Sequence, residues 1–375
     1  MKRIFIIQNT PLNEPLPLSV YLTSLLSHLK KTKDFELNLI IAESKIVPEQ
    51  IKKNINNIYQ IKGSTYSIKD NVKFSRQAYN ILKKEDKMKR IDIIHCFYPN
   101  SSLLGAVLFK KIKNDKTRII YDVRSPWIEM SIDRGHVKNL TSVYKFILYT
   151  QERRLCRNVD GFIFITNGLK NHYIKSFHIK SNKILVSPSG VNLKLFKKVK
   201  TDIRKRYGIK DNEILIGHIG TTDKSRRLDQ FLDIFKKTPK SFKLMFVGYN
   251  KDLLDLLEKY DFKDRVILVD KVPQKEIPEY ICAFDFGLCH LPDVFLYRYS
   301  VPLKILEYLA CEIPILASNM EAHINLEKNL DGIYIYRSEK DLLNIMKKAK
   351  INPKLKEYSW ESISNKYENF WRNLG

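Results

Sequence analysis

One short apolar stretch, "SVPLKILEYLACEIPILAS" (300–318), contains a lysine and a glutamate that could bind a charged ligand. Pro302 suits the first position of a helix, so Lys304 and Glu307 are predicted to lie in its first two turns. The helix follows the apolar strand "FDFGLCH", at the carboxyl edge of a sheet. There a carboxylate can accept two ribose hydroxyls, and a lysine with free N–H groups favours phosphate. A surface i, i+3 ion pair explains the same two residues equally well.

A second candidate is the turn in "IGHIGTTDKSRRLDQFL" (216–232), between an apolar strand and a helix predicted to begin near Ser225. Glycine lets a backbone approach a phosphate closely, while hydroxyls and cations can hold its oxygens. The spacing matches neither a P-loop nor GxGxxG. A capped helix with a basic first turn is the alternative interpretation. The candidate phosphate ligands are Gly220, Thr221, Thr222, Lys224, Arg226 and Arg227.

Polar residues also follow predicted strands in the first half of the chain. "YDVRSPWIE" places Asp122 and Arg124 at the end of a strand, where they either pair or leave Arg124 to meet an anionic acceptor or a phosphate. The Pro-rich loop "NTPLNEPLPLS" follows the first strand and begins with Asn9 and Thr10. His95 ends another strand, and its apolar neighbours favour a buried histidine with satisfied hydrogen bonds over a catalyst.

Positioning these candidates requires a framework, and the chain has a regular alternation of apolar and amphipathic segments. Apolar runs separated by crossover helices are typical of parallel sheets that are covered on both faces. The alternation stops after residue 188 and restarts at 213, so we predict two sheets. The predicted strands are 3–8, 37–42, 91–97, 118–123, 161–166 and 183–188 in the first sheet, and 213–220, 243–248, 265–270, 284–290 and 313–318 in the second.

The fold class is therefore α/β, with two doubly wound, Rossmann-like domains facing a central cleft. A chain of 375 residues is also longer than a single core usually supports. The turn-rich stretch "SPSGVNLKLF" is interpreted as the junction. We expect a first domain at 1–190, a second at 191–355, and a C-terminal helix at 356–375 that crosses back to the first domain.

The net charge of +25 has three interpretations. Basic side chains bind nucleic acid by releasing counterions from phosphates, or they bind an anionic membrane surface. A lysine-rich composition can also carry solvated charges that have no partner. No nucleic-acid-binding motif accompanies the charge, so we expect no nucleic-acid partner and favour the membrane surface.

Several other classes of protein find no support in the sequence. The five cysteines are scattered without CxxC spacing, and the eight histidines form no HxxxH or HExxH pattern, so neither disulfides nor a metal site is predicted. No apolar run is long enough to cross a bilayer, and the run after Met1 is too short for a signal peptide. We therefore expect a cytoplasmic protein.

Taken in order, these segments resemble the family 4 retaining glycosyltransferases of the GT-B fold, which use a nucleotide-sugar donor. "SPSGVNLKLF" is similar to the family's Pro-Asn-Gly-Val-Asp…Phe junction, and "GTTDKSRRLDQFL" to its Gly-Arg-Leu…Lys-Gly-Leu turn and helix. "VPQKEIPEYICAFDFGLCHLP" and "SVPLKILEYLACEIPILAS" match two further family segments. The resemblance spans almost the whole chain and is most specific in the second half.

The resemblance implies roles for residues of the second domain. Glu307 corresponds to the second glutamate of a Glu-seven residues-Glu motif, which holds the donor ribose. Arg226 stands where the family has a diphosphate-binding lysine, and Thr221 stands where it has an arginine. Lys224 or Lys304 would then supply the missing cation. Three further departures from the family pattern are Tyr299 near the place of the first motif glutamate, Glu312 in place of a glycine, and Ser189 in place of an asparagine.

The implied activity is a metal-independent sugar transfer, with retention of configuration, from a nucleotide diphosphate sugar to a glycan or lipid-linked glycan. Arg226 and Lys304 would stabilise the leaving diphosphate. No separate cofactor is implied. The acceptor would lie over the first domain, near Asn9, Thr10, His95 or Arg124, and the protein would sit peripherally at the inner face of the cell membrane. The alternatives are a degenerate binding or scaffold subunit, another GT-B activity such as a sugar epimerase, and a nucleic-acid binder.

Overall fold

The computed structural model describes residues 1–12, 17–29, 33–62, 68–113, 116–129, 141–180 and 183–374. They form two compact units. Unit 1 consists of Met1–Ser189 and Trp360–Gly375, and unit 2 consists of Gly190–Ser359. Within the described residues, no helix is both long enough and apolar enough to cross a bilayer.

Unit 1 is built on a seven-stranded parallel sheet. Its strands are β1 (Lys2–Gln8), β2 (Phe35–Ala42), β3 (Asn57–Ile61), β4 (Ile93–Phe97), β5 (Arg118–Val123), β6 (Gly161–Phe164) and β7 (Ile184–Val186). Their order in the sheet is β3-β2-β1-β4-β5-β6-β7, and all neighbours are parallel. The chain therefore reverses its direction of travel across the sheet between β1 and β4, which is where doubly wound sheets open a ligand crevice.

The helices of unit 1 come from the amphipathic segments between these strands. They are α1 (Pro17–His28), α2 (Glu49–Asn54), α3 (Ile68–Met88), α4 (Asn100–Ile112), α5 (Thr141–Cys156) and α6 (Asn167–Phe177). α4 and α6 each pack against both the sheet and α5. Every central strand is buried almost throughout, which explains its continuous apolar sequence.

Unit 2 repeats the same architecture with six parallel strands. These are β8 (Ile214–Ile219), β9 (Phe242–Val247), β10 (Val266–Val269), β11 (Phe286–Cys289), β12 (Ile315–Ser318) and β13 (Ile333–Tyr336). The order is β10-β9-β8-β11-β12-β13, so the reversal point lies between β8 and β11. The helices are α7 (Ile203–Arg206), α8 (Leu228–Phe235), α9 (Lys251–Leu257), α10 (Ile277–Ala283), α11 (Phe295–Arg298), α12 (Leu303–Ala310), α13 (Glu321–Glu327) and α14 (Glu339–Lys348).

Two glycines bring α12 close to the sheet. Gly217 of β8 and Gly287 of β11 are paired in register. A Cβ atom on Gly287 would lie 2.4 Å from the ring of Tyr308, and one on Gly217 would lie 2.1 Å from the ring of Phe284. The space that these glycines leave is filled by the two rings. The Tyr308 hydroxyl also accepts a hydrogen bond of 3.0 Å from the Ile219 N–H, which fixes α12 beside the end of β8.

The C-terminal helix, α15 (Trp360–Asn373), belongs to unit 1. The indole Nε1 of Trp371 donates to His95 Nδ1 at 3.1 Å. The Tyr367 hydroxyl donates to Asp122 Oδ2 at 2.5 Å and lies 2.7 Å from the Tyr21 hydroxyl. Since these side chains are all buried, α15 completes the core of unit 1 rather than lying on its surface.

The two-sheet α/β fold predicted from the sequence is confirmed, but three local predictions are wrong. β3 was missed because this edge strand, "NIYQI", is only partly buried and lacks a continuous apolar run. β13, "IYIY", was missed as well. The helix expected to begin near Ser225 is a 3-10 turn, Lys224–Arg226, and α8 begins only at Leu228.

Candidate functional site

The two segments singled out for phosphate and ribose binding meet at the reversal point of unit 2. The turn that starts at Gly220 leaves the carboxyl end of β8, and α12 follows β11, the strand beside it. Gly220 has φ +99°, a backbone conformation that favours glycine. A Cβ atom at this position would lie 3.9 Å from Lys304 Nζ. The structure therefore brings an open backbone turn and a lysine amine together at this edge.

Lys304 lies in the first turn of α12, and its amine is unusually poor at holding a proton. Burial lowers the pKa of Lys304 to about 8. The nearby Arg226 cation also lowers that pKa, whereas Cys289 and Glu307 raise it. Nζ lies 3.2 Å from Nε2 of His218. An anion bound beside Nζ would favour the charged form, so this amine is suited to a phosphate ligand.

Glu307 lies one turn further along α12 and holds a carboxylate without a partner. Among the residues that the structure describes, none donates a hydrogen bond to this carboxylate or forms an ion pair with it. Burial raises the pKa of Glu307 to about 7, and the Lys304 charge opposes that rise. A partly buried carboxylate with unused acceptor sites is costly unless a ligand supplies donors. Two ribose hydroxyls would do so.

Arg226 ends the 3-10 turn, and aromatic packing orients its guanidinium. Its Cζ lies 5.0 Å from the centre of the Tyr297 ring, a cation–π contact. Nε lies 3.8 Å from Asp223 Oδ2, and no hydrogen bond forms to Nε among the described residues. The Ser225 hydroxyl lies 2.6 Å from the Tyr297 hydroxyl. Tyr297 thus braces the turn and leaves Arg226 donors available for an anion.

Two residues of this site were not recognised as such in the sequence. His218 is an imidazole within the apolar strand β8, two residues before Gly220, and a histidine at that place was the available signal. Its pKa is lowered well below the ordinary value by burial and by the neighbouring Lys304 and Arg226 cations. Tyr297 lies in α11 and gave no comparable signal, because its packing against the turn depends on the tertiary fold.

The other predicted donor-site residues make the following contacts within unit 2. The Thr222 hydroxyl donates to Asn250 Oδ1 at 2.9 Å and accepts from the Asn250 N–H, so it joins two loops. The Lys224 side chain is 81% exposed, and its Nζ lies 3.8 Å from Asp252. Thr221 is exposed, and its carbonyl oxygen lies 3.2 Å from His218 Nε2. Tyr299 packs edge-on against the ring of Phe295, 5.3 Å between centroids.

Two side chains occupy left-handed backbone positions at the ends of this region. Arg227 has φ +50° between the 3-10 turn and α8, and Glu312 has φ +60° just after α12. Glu312 stands where the family pattern has a glycine. In this conformation the Cβ atom of a residue other than glycine crowds the backbone, which raises the energy of the folded state, so these two positions carry backbone strain.

In unit 1, Asn9 and Thr10 follow β1 at the reversal point, but both side chains are buried. Asn9 Nδ2 donates to Asn71 Oδ1 at 2.7 Å and to Ser101 Oγ at 3.1 Å. Thr10 Oγ1 accepts from Gln8 Nε2 at 2.6 Å. These bonds join the end of β1 to α3 and α4.

His95 and Arg124 are likewise buried within unit 1. His95 Nδ1 accepts from Trp371, and its buried Nε2 lies 3.4 Å from Asp122 without a hydrogen-bond partner among the described residues. The histidine is therefore buried, as the sequence favoured, but only one of its two ring nitrogens is satisfied. Arg124 Nη1 donates to the Ser187 carbonyl at 2.9 Å and lies 3.6 Å from Asp122. Of the two interpretations of Arg124, the geometry matches the structural pair. The structure does not bring either side chain to an exposed surface of the unit.

Comparisons with known proteins agree with this architecture. Residues 18–195 match the family model described as Glycosyltransferase Family 4, and residues 199–361 match the model described as Glycosyl transferases group 1. N-acetyl-alpha-D-glucosaminyl L-malate synthase from Bacillus anthracis is 21% identical over 285 residues, which are 73% of this chain and 69% of that protein. The O-antigen biosynthesis glycosyltransferase WclY from Escherichia coli is 24% identical over 326 residues, 81% of this chain and 85% of that protein.

Solved structures extend the comparison of the fold. Sucrose-phosphate synthase from Thermosynechococcus elongatus matches with a TM-score of 0.77 at 16% identity, covering 100% of this chain and 99% of that one. Anabaena HepE in complex with UDP and glucose matches with a TM-score of 0.67 at 12% identity, covering 100% of this chain and 96% of that one. At these identities the likeness shows a shared fold.

Proposed function

Because the chain belongs to the family 4 glycosyltransferases of the GT-B fold, we propose that it moves a sugar from a nucleotide diphosphate sugar to a glycan or lipid-linked glycan. We further propose that the configuration at the anomeric carbon is retained and that the product is a cell-surface polysaccharide or glycoconjugate. The similarity to an O-antigen biosynthesis glycosyltransferase supports this class of product.

The observation that carries the proposal is the unpaired carboxylate of Glu307, next to the Lys304 amine, at the reversal point of unit 2. Glu307 accepts the two ribose hydroxyls of the donor, which replace the hydrogen bonds that burial removes. One turn earlier, Lys304 and the N-terminal N–H groups of α12 face the diphosphate. No side chain caps that helix N-terminus; the Ile305 N–H donates to the Pro302 carbonyl, and the N–H groups of Leu303 and Lys304 are available to an anion.

In the proposed reaction the charge that develops on the leaving diphosphate is met by Arg226 and Lys304. Their fixed positions beside Tyr297 and His218 mean that little reorganisation is needed as this charge grows. Because these two cations would neutralise the charge on the diphosphate, we propose that the reaction needs no metal ion. We assign no nucleophile, because a front-face attack by the acceptor retains configuration without one.

We place the acceptor over the carboxyl edge of the unit 1 sheet and the protein at the inner face of the cell membrane. The net charge of +25 supports an anionic surface as a partner, since each basic residue near such a surface adds about 1 kcal/mol. A lipid-linked glycan would be presented at that surface.

A non-catalytic binding subunit is the second candidate, and two residues favour it. Tyr299 stands near the place of the first motif glutamate, and Thr221 stands in place of the family's arginine. A binding subunit would keep the contacts to ribose and diphosphate but would release no nucleotide from a nucleotide sugar.

The test is a thermal-shift screen against nucleoside diphosphates and their sugars, followed by a nucleotide-release assay with the best donor. We expect a stabilised transition and nucleotide release that both fall sharply in Glu307→Gln and Arg226→Ala. Arg227→Ala and Glu312→Gln serve as matched neighbours that change neither result. Binding without release, with or without added acceptors, supports the binding subunit, and no binding to any nucleotide overturns both candidates.

A further inference from the structure

Two neighbouring helices of unit 1 leave large apolar side chains on their outer surface. Val143, Phe146 and Ile147 of α5 are 55%, 71% and 55% exposed, and Ile174 of the adjacent α6 is 42% exposed. The spacing i, i+3, i+4 puts the three α5 residues on one side of that helix. We call these four residues with their surrounding charges the α5–α6 face. Scattered exposed hydrophobics are ordinary, but three on one helix face form a patch.

The segment that carries this patch has a strong excess of positive charge. Between residues 141 and 180 the chain has seven basic residues and only two acidic ones. Glu152 is fully buried, and Asp160 is held in ion pairs with basic side chains of neighbouring segments. Neither carboxylate therefore balances the surface. The basic residues are Lys145, Arg153, Arg154, Arg157, Lys170, Lys175 and Lys180.

We propose that the α5–α6 face docks the protein on an anionic lipid bilayer. Phe146 and its apolar neighbours would insert among the acyl-chain boundary, while the lysines and arginines remain at the level of the headgroups. This pairing of an apolar centre with cations and no free carboxylate fits a bilayer better than the other polyanions. Nucleic acid would match the cations but would leave Val143 and Ile147 against water or phosphate.

The position of the face in the fold agrees with this occupant. In a parallel α/β sheet the connecting helix starts at the carboxyl edge of the strands. The apolar patch lies in the first two turns of α5, so it lies toward the edge of the sheet over which we place the acceptor. Docking through this face would hold the protein at the surface where a lipid-linked acceptor is presented. The docking itself does not depend on the proposed transferase activity; only its biological purpose rests on that function.

The experiment is sedimentation of the full chain with vesicles of phosphatidylcholine alone and with vesicles in which part of that lipid is replaced by phosphatidylglycerol. We expect the protein to sediment with the anionic vesicles and to remain in solution with the neutral ones. Binding should weaken as salt rises, because the electrostatic part is screened.

Two variants locate the contact. Phe146→Ser combined with Ile147→Ser removes the apolar part, and we expect the vesicle partition coefficient to fall about tenfold or more. Arg154→Glu combined with Arg157→Glu reverses two exposed cations on the side of α5 that carries the patch, and we expect a fall of at least about tenfold. The matched controls lie on α3 of the same unit: Val72→Ser, which is 57% exposed, and Lys84→Glu combined with Lys87→Glu. We expect these control variants to change the vesicle partition coefficient less than about twofold, because charges far from the contact are screened by salt.

Each result bears on the proposal. Loss of binding in the α5 variants and not in the α3 controls supports it, whereas equal binding in all variants, or equal loss in the controls, overturns it. Binding of RNA in preference to anionic vesicles also overturns it. The nucleotide thermal shift is measured in every variant, because it reports on unit 2 and on intact folding. Binding to vesicles without binding to any nucleotide would contradict the proposed transferase function and would still support the proposed membrane-docking surface.

Discussion

Nε2 of His218 lies 3.2 Å from Nζ of Lys304 and also 3.2 Å from the carbonyl oxygen of Thr221, so one ring nitrogen faces a donor and an acceptor. A charged Lys304 donates to Nε2, which places the imidazole proton on Nδ1. A neutral Lys304 lets Nε2–H donate to Thr221. Because Nδ1 is buried with no partner among the described residues, neither state satisfies every group. A diphosphate that holds Lys304 in its charged form decides between them.

The first prediction concerns the pH dependence of donor binding. Lys304 has a pKa of about 8 and Glu307 a pKa of about 7, and the ligand needs the first protonated and the second ionised. Affinity should rise as the pH passes 7 and should fall above 8, by up to about tenfold per pH unit on each limb. His218, Cys289 and Arg226 face the same amine, and their charges are constant over this range.

Calorimetric titration with the nucleoside diphosphate that stabilises the protein best measures this profile. Lys304→Arg keeps its charge at all these pH values, so the alkaline limb should flatten. Glu307→Gln should remove the acid limb and weaken binding. An alkaline limb that persists unchanged in Lys304→Arg would show that another group titrates.

The second prediction is that Glu307→Gln stabilises the protein in the absence of a ligand. The folded state raises the pKa of Glu307 from 4.5 to about 7, so the favourable contribution is complete below pH 4.5 and is lost as the pH rises through 7. Removing the charge should therefore stabilise unit 2 by about 3 kcal/mol at pH 8 and by less than about 1 kcal/mol at pH 5. Scanning calorimetry at both pH values measures the difference, and Glu321→Gln on an exposed part of α13 should show none.

The third prediction separates two adjacent arginines. Arg226 is held over Tyr297 with unused donors, whereas Arg227 forms an exposed ion pair with Asp229 at 2.9 Å. Arg226→Ala should weaken nucleoside diphosphate binding about tenfold or more, the usual worth of a charge-assisted contact. Arg227→Ala should change it less than about twofold, because a surface ion pair contributes little. Equal losses in the two variants would argue against a specific phosphate contact.

The fourth prediction uses the left-handed position of Glu312. Its backbone at φ +60° is strained by a Cβ atom, and its ion pair with Lys198 lies on the surface. Glu312→Gly should therefore raise the free energy of unfolding of unit 2 by about 1 kcal/mol. Glu312→Ala loses the same ion pair but keeps the Cβ atom, so it should give no gain. Urea unfolding, followed through the transition that the nucleotide shifts, distinguishes the two.

The fifth prediction concerns the attachment of α15 to unit 1. Tyr367→Phe removes the hydrogen bonds that join Tyr21, Tyr367 and Asp122, and it leaves a buried carboxylate oxygen with one donor fewer. The expected cost is about 2 kcal/mol. Hydrogen–deuterium exchange should accelerate in peptides from 360–373, while the nucleotide-induced shift of unit 2 remains. Unchanged exchange in α15 would show that aromatic packing alone holds this helix.

The sequence sufficed for the two sheets because buried parallel strands carry continuous apolar runs, and these are visible without any structure. It also placed Lys304 and Glu307 correctly in the first turns of α12. It failed for edge strand β3, whose partly exposed residues carry no such pattern.

For the site, the sequence predicted two segments that meet at the carboxyl end of β8 in the structure, but it gave less information about individual side chains. The Thr222 hydroxyl donates a hydrogen bond to Asn250, and the Asn9 amide donates to Asn71 of α3 and Ser101 of α4. Polar groups at strand ends therefore also hold loops and helices together, and the sequence does not distinguish this role from ligand binding. His218 was missed since a lone histidine in an apolar strand is usually structural. Its closeness to Lys304 arises from the pairing of β8 with β11, which only the fold reveals.

The chain enters unit 1, leaves it at Ser189, and returns at Trp360. During synthesis on a ribosome, all of unit 2 must therefore emerge before Trp371 and Tyr367 become available to His95 and Asp122. Until then the nascent first sheet has an uncovered apolar surface, and Asp122 lacks its hydrogen bond from Tyr367. Unit 2, which is continuous in sequence, can finish folding first, and we expect the order of folding to be the reverse of the order of translation.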